Sequence, residues 1–302
     1  MQIKRFKFDD HKRNWHIEET VFEHFNLLVG IYGVGKTRIL KALERVSEVA
    51  TNGDYKLDGV AWEIGFLHAN HEYEWQLKSA FAPFSKNGEL ASIMFERIVM
   101  KNGEQPVTLV ERSENTFLLN NEKVPKLKKT ESAVTLFSEE AGIAPIGEAF
   151  KQIIFSETLR RKSLNAQVNP EDLIIETNQS LETFKENLVQ QPTAIKAYQF
   201  QQFYPQEFSL IKQYFTDIFS SVEDIKVTVT RKTEGFDFYF NIKEKASNEW
   251  ILQPEMSSGM FRTLVHLTEL VLAPDKCVVV IDDFESHLGV NCMPDLTDFV
   301  MS

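Results

Sequence analysis

The sequence predicts an α/β fold in which a mixed sheet is joined by an antiparallel β subdomain and a helical insertion. Three observations predict it. A glycine-rich stretch, GIYGVGKT at Gly30 to Thr37, separates an apolar approach from a run with helical spacing. Short β-rich runs divided by turn signals fill residues 59–119. An apolar run, Cys277 to Ile281, ends at once in Asp282 and Asp283.

The opening IKRFKF alternates, and VFEHFNLLVG leads into the first glycine, so the start reads as strand, turn, strand. After Thr37, Ile39, Leu40, Leu43, Val46 and Val49 recur at helical spacing. VAWEIGF, FERIVM, VTLVER and NTFLL, with turns at Lys101-Asn102-Gly103 and Asn120-Asn121, then read as an antiparallel meander. From about Ser132 to Ser221 the pattern is mostly helical, and Pro145, Pro170, Pro192 and Pro205 exclude one unbroken coil. Strands return at DIKVTVTRK and FDFYFNIKE, followed by a capped helix, MSSGMFRTLVHLTELVLA, and a buried strand, KCVVVIDDF. The expected organisation is an N-terminal lobe over 1–131, a helical insertion over 132–222 and a C-terminal lobe over 223–302, together one composite domain.

Composition narrows the classes. With 302 residues, 43% of them hydrophobic and 25% charged, the chain is ordinary for a soluble globular protein. No stretch approaches the roughly 18 apolar residues of a membrane span, and the first twenty residues lack the apolar block of a signal peptide, so a cytoplasmic protein without membrane partners is expected. Cys277 and Cys292 cannot make a disulfide framework. A net charge of -11 argues against bulk electrostatic affinity for DNA. Local basic clusters at Lys4, Arg5 and Lys7, at Lys126, Lys128 and Lys129, and at Arg160, Arg161 and Lys162 read as solvated faces before docking patches.

Phosphate binding needs glycines that let several backbone N–H groups turn toward one anion, a helix N-terminus behind them, a lysine for the outer phosphates and a hydroxyl for Mg²⁺. Gly30, Gly33 and Gly35 with Lys36 and Thr37 supply all four, and Tyr32, Val34 and Arg38 complete the candidate nucleotide contacts. The fixed positions of this P-loop arise by accident in about one chain of this length in a hundred. A carboxylate at the end of a buried strand is the second requirement. Asp282 is assigned to magnesium and Asp283 to the attacking water as catalytic carboxylate, with Lys36 beside it and Glu285 as a substitute for Asp283. The third piece is Ser257-Ser258-Gly259, which reads as a helix N-cap and equally as an anion site. A chain whose own phosphate loop is complete does not need it for the same nucleotide; a partner's nucleotide could use it.

NLLVGIYGVGKT, EMSSGMFRTLVHL and CVVVIDDFESHLG resemble the Walker A, signature and Walker B plus D-loop segments of ABC-type ATPases related to RecF, SMC and the OLD proteins. The resemblance implies a P-loop ATPase head using Mg²⁺ and ATP, closing as a homodimer in which Ser257, Ser258 and Gly259 act in trans on ATP held by the other copy. It also implies DNA repair or defence against phage, alongside a nuclease partner. Three departures are visible. Asp283 stands where the family has a glutamate one methylene longer, which predicts slow turnover. The family's later strand ending in a histidine has no counterpart before Ser302, so that part of the fold is missing or another polypeptide supplies it. A Q-loop glutamine is not placed; Gln152 and Gln167 are the candidates.

The alternative reading is a nucleotide-binding scaffold with little hydrolysis that docks an effector. A small-molecule P-loop kinase needs no signature helix, and a transporter ATPase does not suit the long insertion between Gly30–Thr37 and Ser257. His68 and His71 lack a third metal ligand at suitable spacing. His287 falls in the D-loop segment, facing a dimer partner or solvent. The aromatics of Tyr198 to Phe219 read as core packing before base stacking.

Overall fold

The computed structural model describes residues 1–31, 33–52, 57–81, 91–102, 105–125, 127–156, 179–232, 235–247, 249–284 and 297. The chain forms two compact units, Met1–Ile153 with Lys276–Val278, and Ile154–Asp275 with Val279–Ser302.

The first unit is organised by an antiparallel sheet of eight strands in the order β2-β1-β3-β4-β5-β6-β7-β8. The strands are β1 (Gln2–Asp10), β2 (Trp15–Val21), β3 (Val60–His68), β4 (His71–Ser79), β5 (Ile93–Asn102), β6 (Gln105–Arg112), β7 (Phe117–Leu119) and β8 (Glu122–Lys123). Period-two alternation sends Phe6 and Phe8 of β1, Trp62, Ile64 and Phe66 of β3, and Tyr73, Trp75 and Leu77 of β4 into the core. In β1 the buried positions step from Ile3 to Phe6, because the pairing with β3 carries a bulge between Ile3 and Arg5. Two connections are tight hairpins. His68 pairs with His71 around Ala69 and Asn70, and Leu119 with Glu122 around Asn120 and Asn121. All four turn residues hold positive φ, which a two-residue turn of this hand requires.

Helices α1 (Lys36–Thr51), α2 (Ala133–Leu136) and α3 (Ala144–Lys151) pack in this unit. Helix α1 buries Ala42, Leu43, Val46, Val49 and Ala50 at helical spacing. The Ser47 hydroxyl donates to the Phe150 carbonyl at 3.2 Å, which ties α1 to α3. The Phe150 ring lies edge-on to Phe66 at 5.2 Å and to Trp75 at 5.5 Å, and Trp75 in turn meets Trp62 at 5.2 Å. Beneath them Glu96 is fully buried and fully used. It accepts from Trp75 Nε1 at 3.1 Å, Ser132 Oγ at 2.5 Å and the Ala133 N–H at 2.9 Å. Burial raises its pKa, and these donors with the Arg112 guanidinium at 3.6 Å oppose that rise.

Among the described residues, the second unit pairs a three-stranded antiparallel sheet with four helices. The strands are β10 (Val222–Lys232), β11 (Gly235–Glu244) and β12 (Trp250–Leu252). The helices are α4 (Leu181–Leu188), α5 (Thr193–Phe203), α6 (Pro205–Ile218) and α7 (Ser258–Val271). Phe184, Phe200, Phe208, Phe215, Phe238 and Phe240 form the centre of its core. The aromatics of the 198–219 stretch are therefore largely packing residues. Lys196 and Glu269 form a buried ion pair at 2.6 Å, with the Thr193 hydroxyl donating to the same carboxylate.

Strands β9 (Ile153–Phe155) and β13 (Val278–Val280) pair with each other. The Val278 N–H donates to the Gln152 carbonyl at 3.1 Å and the Ser156 N–H to the Val280 carbonyl at 2.9 Å, so both strands advance in the same direction and the pair is parallel.

One expectation fails. VFEHFNLLVG was expected as a strand, yet residues 22–30 carry no regular structure. The Phe22 N–H still reaches the Lys4 carbonyl at 2.8 Å, after which Asn26 closes a local turn on Glu23. Both edges of β1 are already taken by β2 and β3, so that strand offers the segment no ladder. Leu27, Val29 and Ile31 stay 70%, 83% and 81% exposed. The fold is thus mixed α/β with a large antiparallel sheet, and the strand that would precede a P-loop is not formed.

Candidate functional site

The glycine loop lies in the first unit, at the N-terminal end of α1. Gly33 and Gly35 hold φ of +79° and +107°, a region that residues with a Cβ rarely adopt. Gly35 is the N-cap of α1 and, having no side chain, places no capping oxygen over the helix end. That leaves the positive end of the dipole uncovered by a capping side chain, as an anion site requires. The loop closes locally through Arg38 and Ile39 N–H groups on the Gly35 carbonyl, at 2.8 and 3.2 Å. Lys36 Nζ donates to the Gly30 carbonyl at 2.7 Å, which holds the ammonium across the loop. Gly33, Val34 and Arg38 are exposed, and Gly35, Lys36 and Thr37 are half-buried. Tyr32 lies outside the described residues.

Ser257, Ser258, Gly259, Asp282 and Asp283 belong to the second unit. Ser257 is the N-cap of α7, and its hydroxyl accepts from the Met260 N–H at 3.2 Å. Ser257 and Ser258 are exposed. The local reason for the helix is legible: Ser257 caps it, and the apolar residues beyond Met260 enter the core. Asp282 is half-buried and Asp283 exposed, just beyond the end of β13. Asp283 has φ +48°, a left-handed conformation that aspartate tolerates better than most residues. β13 itself is three residues long and only Val280 is buried, a shorter and less enclosed strand than KCVVVIDDF suggested. Glu285, His287, Gln167 and Cys292 lie outside the described residues, as do Lys126, Arg160, Arg161 and Lys162. Gln152 Oε1 accepts from the Met1 amino group at 3.3 Å.

Three residues that carry local chemistry were not singled out from the sequence. His266 of α7 is fully buried, and neither ring nitrogen has a hydrogen-bond partner. Burial first, and the charge of Arg262 second, lower its pKa to about 4. Arg262 lies one turn earlier and has a buried Nη1 that is also unpartnered. The Phe284 ring packs on His266, with centroids 5.5 Å apart. The available signal was a histidine and an arginine inside LVHLTEL and MFRT, otherwise a core-helix pattern.

Elsewhere, polar groups are engaged locally. Arg5 bridges Glu19 and Glu74 at 3.1 and 2.6 Å, and Lys7 reaches Glu63 at 3.5 Å, so these two members of the basic cluster are paired with acids on the sheet surface. Among the described residues no group of three or more His, Cys, Asp or Glu side chains could hold a metal. No helix among them is long and apolar enough to cross a membrane.

No protein-family model matches the chain, and no curated protein matches it. Among solved structures the chain is similar to the crystal structure of the Smc head domain with an extended coiled coil bound to the C-terminal domain of ScpA, from Pyrococcus furiosus. That likeness has a TM-score of 0.43 at 12% identity and covers 99% of this chain and 86% of that one. The functional reading therefore rests on residues of this chain.

Proposed function

We infer that the chain binds ATP with magnesium through Gly30–Thr37 and hydrolyses it slowly, as one half of a composite site completed by a second copy. The observation that carries the reading is the loop at α1: positive φ at Gly33 and Gly35, a helix end without a capping side chain, and Lys36 turned back across the loop. Backbone N–H groups and the helix dipole attract the phosphates, and Lys36 exchanges the Gly30 carbonyl for a phosphate oxygen. Thr37 and Asp282 are oxygen donors of the kind that magnesium prefers, directly or through water. Bound there, magnesium would neutralise charge on the outer phosphates. Asp283 orients water for attack on the γ-phosphorus and accepts its proton, while the bond from phosphorus to the β–γ bridging oxygen breaks. Ser257 and Ser258, exposed at the N-terminus of α7, close with Gly259 on the γ-phosphate held by the partner.

The setting that the three resembling segments support is DNA repair or anti-phage defence, with nucleotide-driven opening and closing acting on an effector such as a nuclease. A second reading, a binding scaffold with little turnover, is favoured by one observation: Asp283 has the shorter carboxylate and sits in an exposed left-handed turn.

Ligand at about 100 times its dissociation constant stabilises a fold by about 2.7 kcal/mol, so saturating Mg·ATP should raise the melting temperature of the parent and leave Lys36→Ala unmoved. Phosphate release present in the parent and absent in Lys36→Ala supports the enzyme. Binding without release, even with a partner present, supports the scaffold. No thermal response to Mg·ATP in the parent sinks both.

A further inference from the structure

We propose that His266 is a positioning residue for the Asp282–Asp283 turn and acts through the ring of Phe284. The inference rests on the reading of Asp282 as the magnesium carboxylate.

Helix α7 is enclosed from Thr263 to Glu269. Along that stretch the other polar side chains are tied. Thr263 donates to the Gly259 carbonyl at 2.9 Å and Thr268 to the Leu264 carbonyl at 2.7 Å, while Glu269 receives Lys196 at 2.6 Å. His266 is the exception among the described residues of this stretch, since both ring nitrogens are without a partner. A leucine would pack at such a position with no unsatisfied polar atom, so the imidazole is retained at a cost in stability. What it meets is an aromatic plate: the Phe284 ring, tilted by 35° at 5.5 Å. With its pKa held at about 4, the imidazole is neutral at physiological pH and meets Phe284 as a ring rather than as a cation.

Phe284 follows directly on the two acids and packs against the core of the second unit. Among the described residues β13 ends at Val280, and Asp283 sits in a left-handed turn. A side chain anchored immediately after the acids limits where the Asp282 carboxylate can point. The same helix begins at Ser257–Gly259, which in the proposed dimer serve the partner's nucleotide. The His266–Phe284 contact therefore links a movement of α7 at one nucleotide to the magnesium carboxylate at the other.

The test uses the full chain and compares the parent, His266→Leu, His266→Phe and Asp282→Asn. The readout is the ratio of ATP dissociation constants in EDTA and in excess Mg²⁺, by titration calorimetry, with melting temperature in the absence of nucleotide as the control for folding. Residues that orient a metal ligand are worth about 10- to 100-fold in metal affinity, so His266→Leu should shrink the magnesium effect about tenfold toward that of Asp282→Asn. Its melting temperature should hold or rise, and His266→Phe, which restores a ring, should restore the magnesium effect. If His266→Leu cannot be folded, Phe284→Leu is read in its place with the same expectation. A parental magnesium effect in His266→Leu, or an equal loss in the leucine and phenylalanine variants, overturns the inference alone. A parent without any magnesium effect overturns the assignment of Asp282 and the inference with it.

Discussion

Gly35 occupies φ +107° at the point where the loop becomes helix, and a methyl group there has no close contact to clash with, since the nearest atom is Arg38 Cδ at 3.9 Å. The constraint is therefore backbone conformation, worth about 1–3 kcal/mol for a residue forced to stay in such a region. Gly35→Ala relieves that strain by reshaping the loop. The expected result is a small change in melting temperature without ligand and loss of the Mg·ATP-dependent rise, both read from one thermal series. A retained rise would mean that the left-handed turn is not what gathers the phosphate. His266 gives a second prediction at this scale. Its folded pKa of about 4 lies below the ordinary 6.5, so the unfolded chain takes the proton more readily. Above pH 6.5 the group contributes nothing to pH dependence. As pH falls from 6.5 to 4, stability should decline by about 3 kcal/mol on its account, an order-of-magnitude figure from 1.36 kcal/mol per unit. Denaturant midpoints over that window should flatten in His266→Phe, and equal slopes would show that the imidazole is not the group titrating.

Elements separate the bland from the functional meaning of Ser257-Ser258-Gly259. As a cap, Ser257 holds the Met260 N–H, and Ser257→Ala should cost about 1 kcal/mol. Aspartate caps as well as serine and its charge suits a helix N-terminus. Ser257→Asp should therefore keep the melting temperature of the parent while its carboxylate occupies the site meant for a partner's phosphate, abolishing nucleotide-driven association in sedimentation. Association that survives in Ser257→Asp would leave Ser257 a cap and nothing more. Element identity was the part most open to sequence reading, because its causes are local. The β-rich run FERIVM, the alternation in DIKVTVTRK, the paired asparagines at Asn120-Asn121 and the serine before α7 each act within a few residues. NLLVG was an apolar approach that read as a strand and formed none, since a strand also needs a neighbour and local pattern carries no information about one. The partnering of β9 with β13 across more than a hundred residues was hidden for the same reason. So were the buried polar groups Glu96, Lys196, Glu269 and His266, whose environments are assembled from distant parts of the chain. Of the candidate site, residue types and spacing were visible, and the unpartnered imidazole behind Phe284 was not.

At the scale of the whole molecule, the glycine loop and the α7 N-terminus, the two ends proposed to receive phosphate, share one property: Gly33, Val34, Ser257 and Ser258 are exposed. In the proposed composite site, a pair of copies would close these two exposed ends on two nucleotides. Each copy carries a net charge of -11, so self-association works against long-range repulsion that salt screens over about 8 Å at physiological ionic strength. In the proposed dimer, bound ATP would add negative charge to each copy before closure delivers the compensating contacts, so association should depend on both nucleotide and salt. Asp283→Asn should slow turnover by about 10²- to 10⁴-fold while leaving binding intact, and so hold the closed state long enough to observe. In analytical ultracentrifugation Asp283→Asn with Mg·ATP should sediment as a dimer, more completely at 150 mM than at about 20 mM salt. Lys36→Ala should stay monomeric under both conditions. A dimer that forms equally without nucleotide would place the interface elsewhere, and a monomer at every nucleotide and salt concentration would remove the composite site while leaving ATP binding at Gly30–Thr37 to stand or fall by its own thermal test.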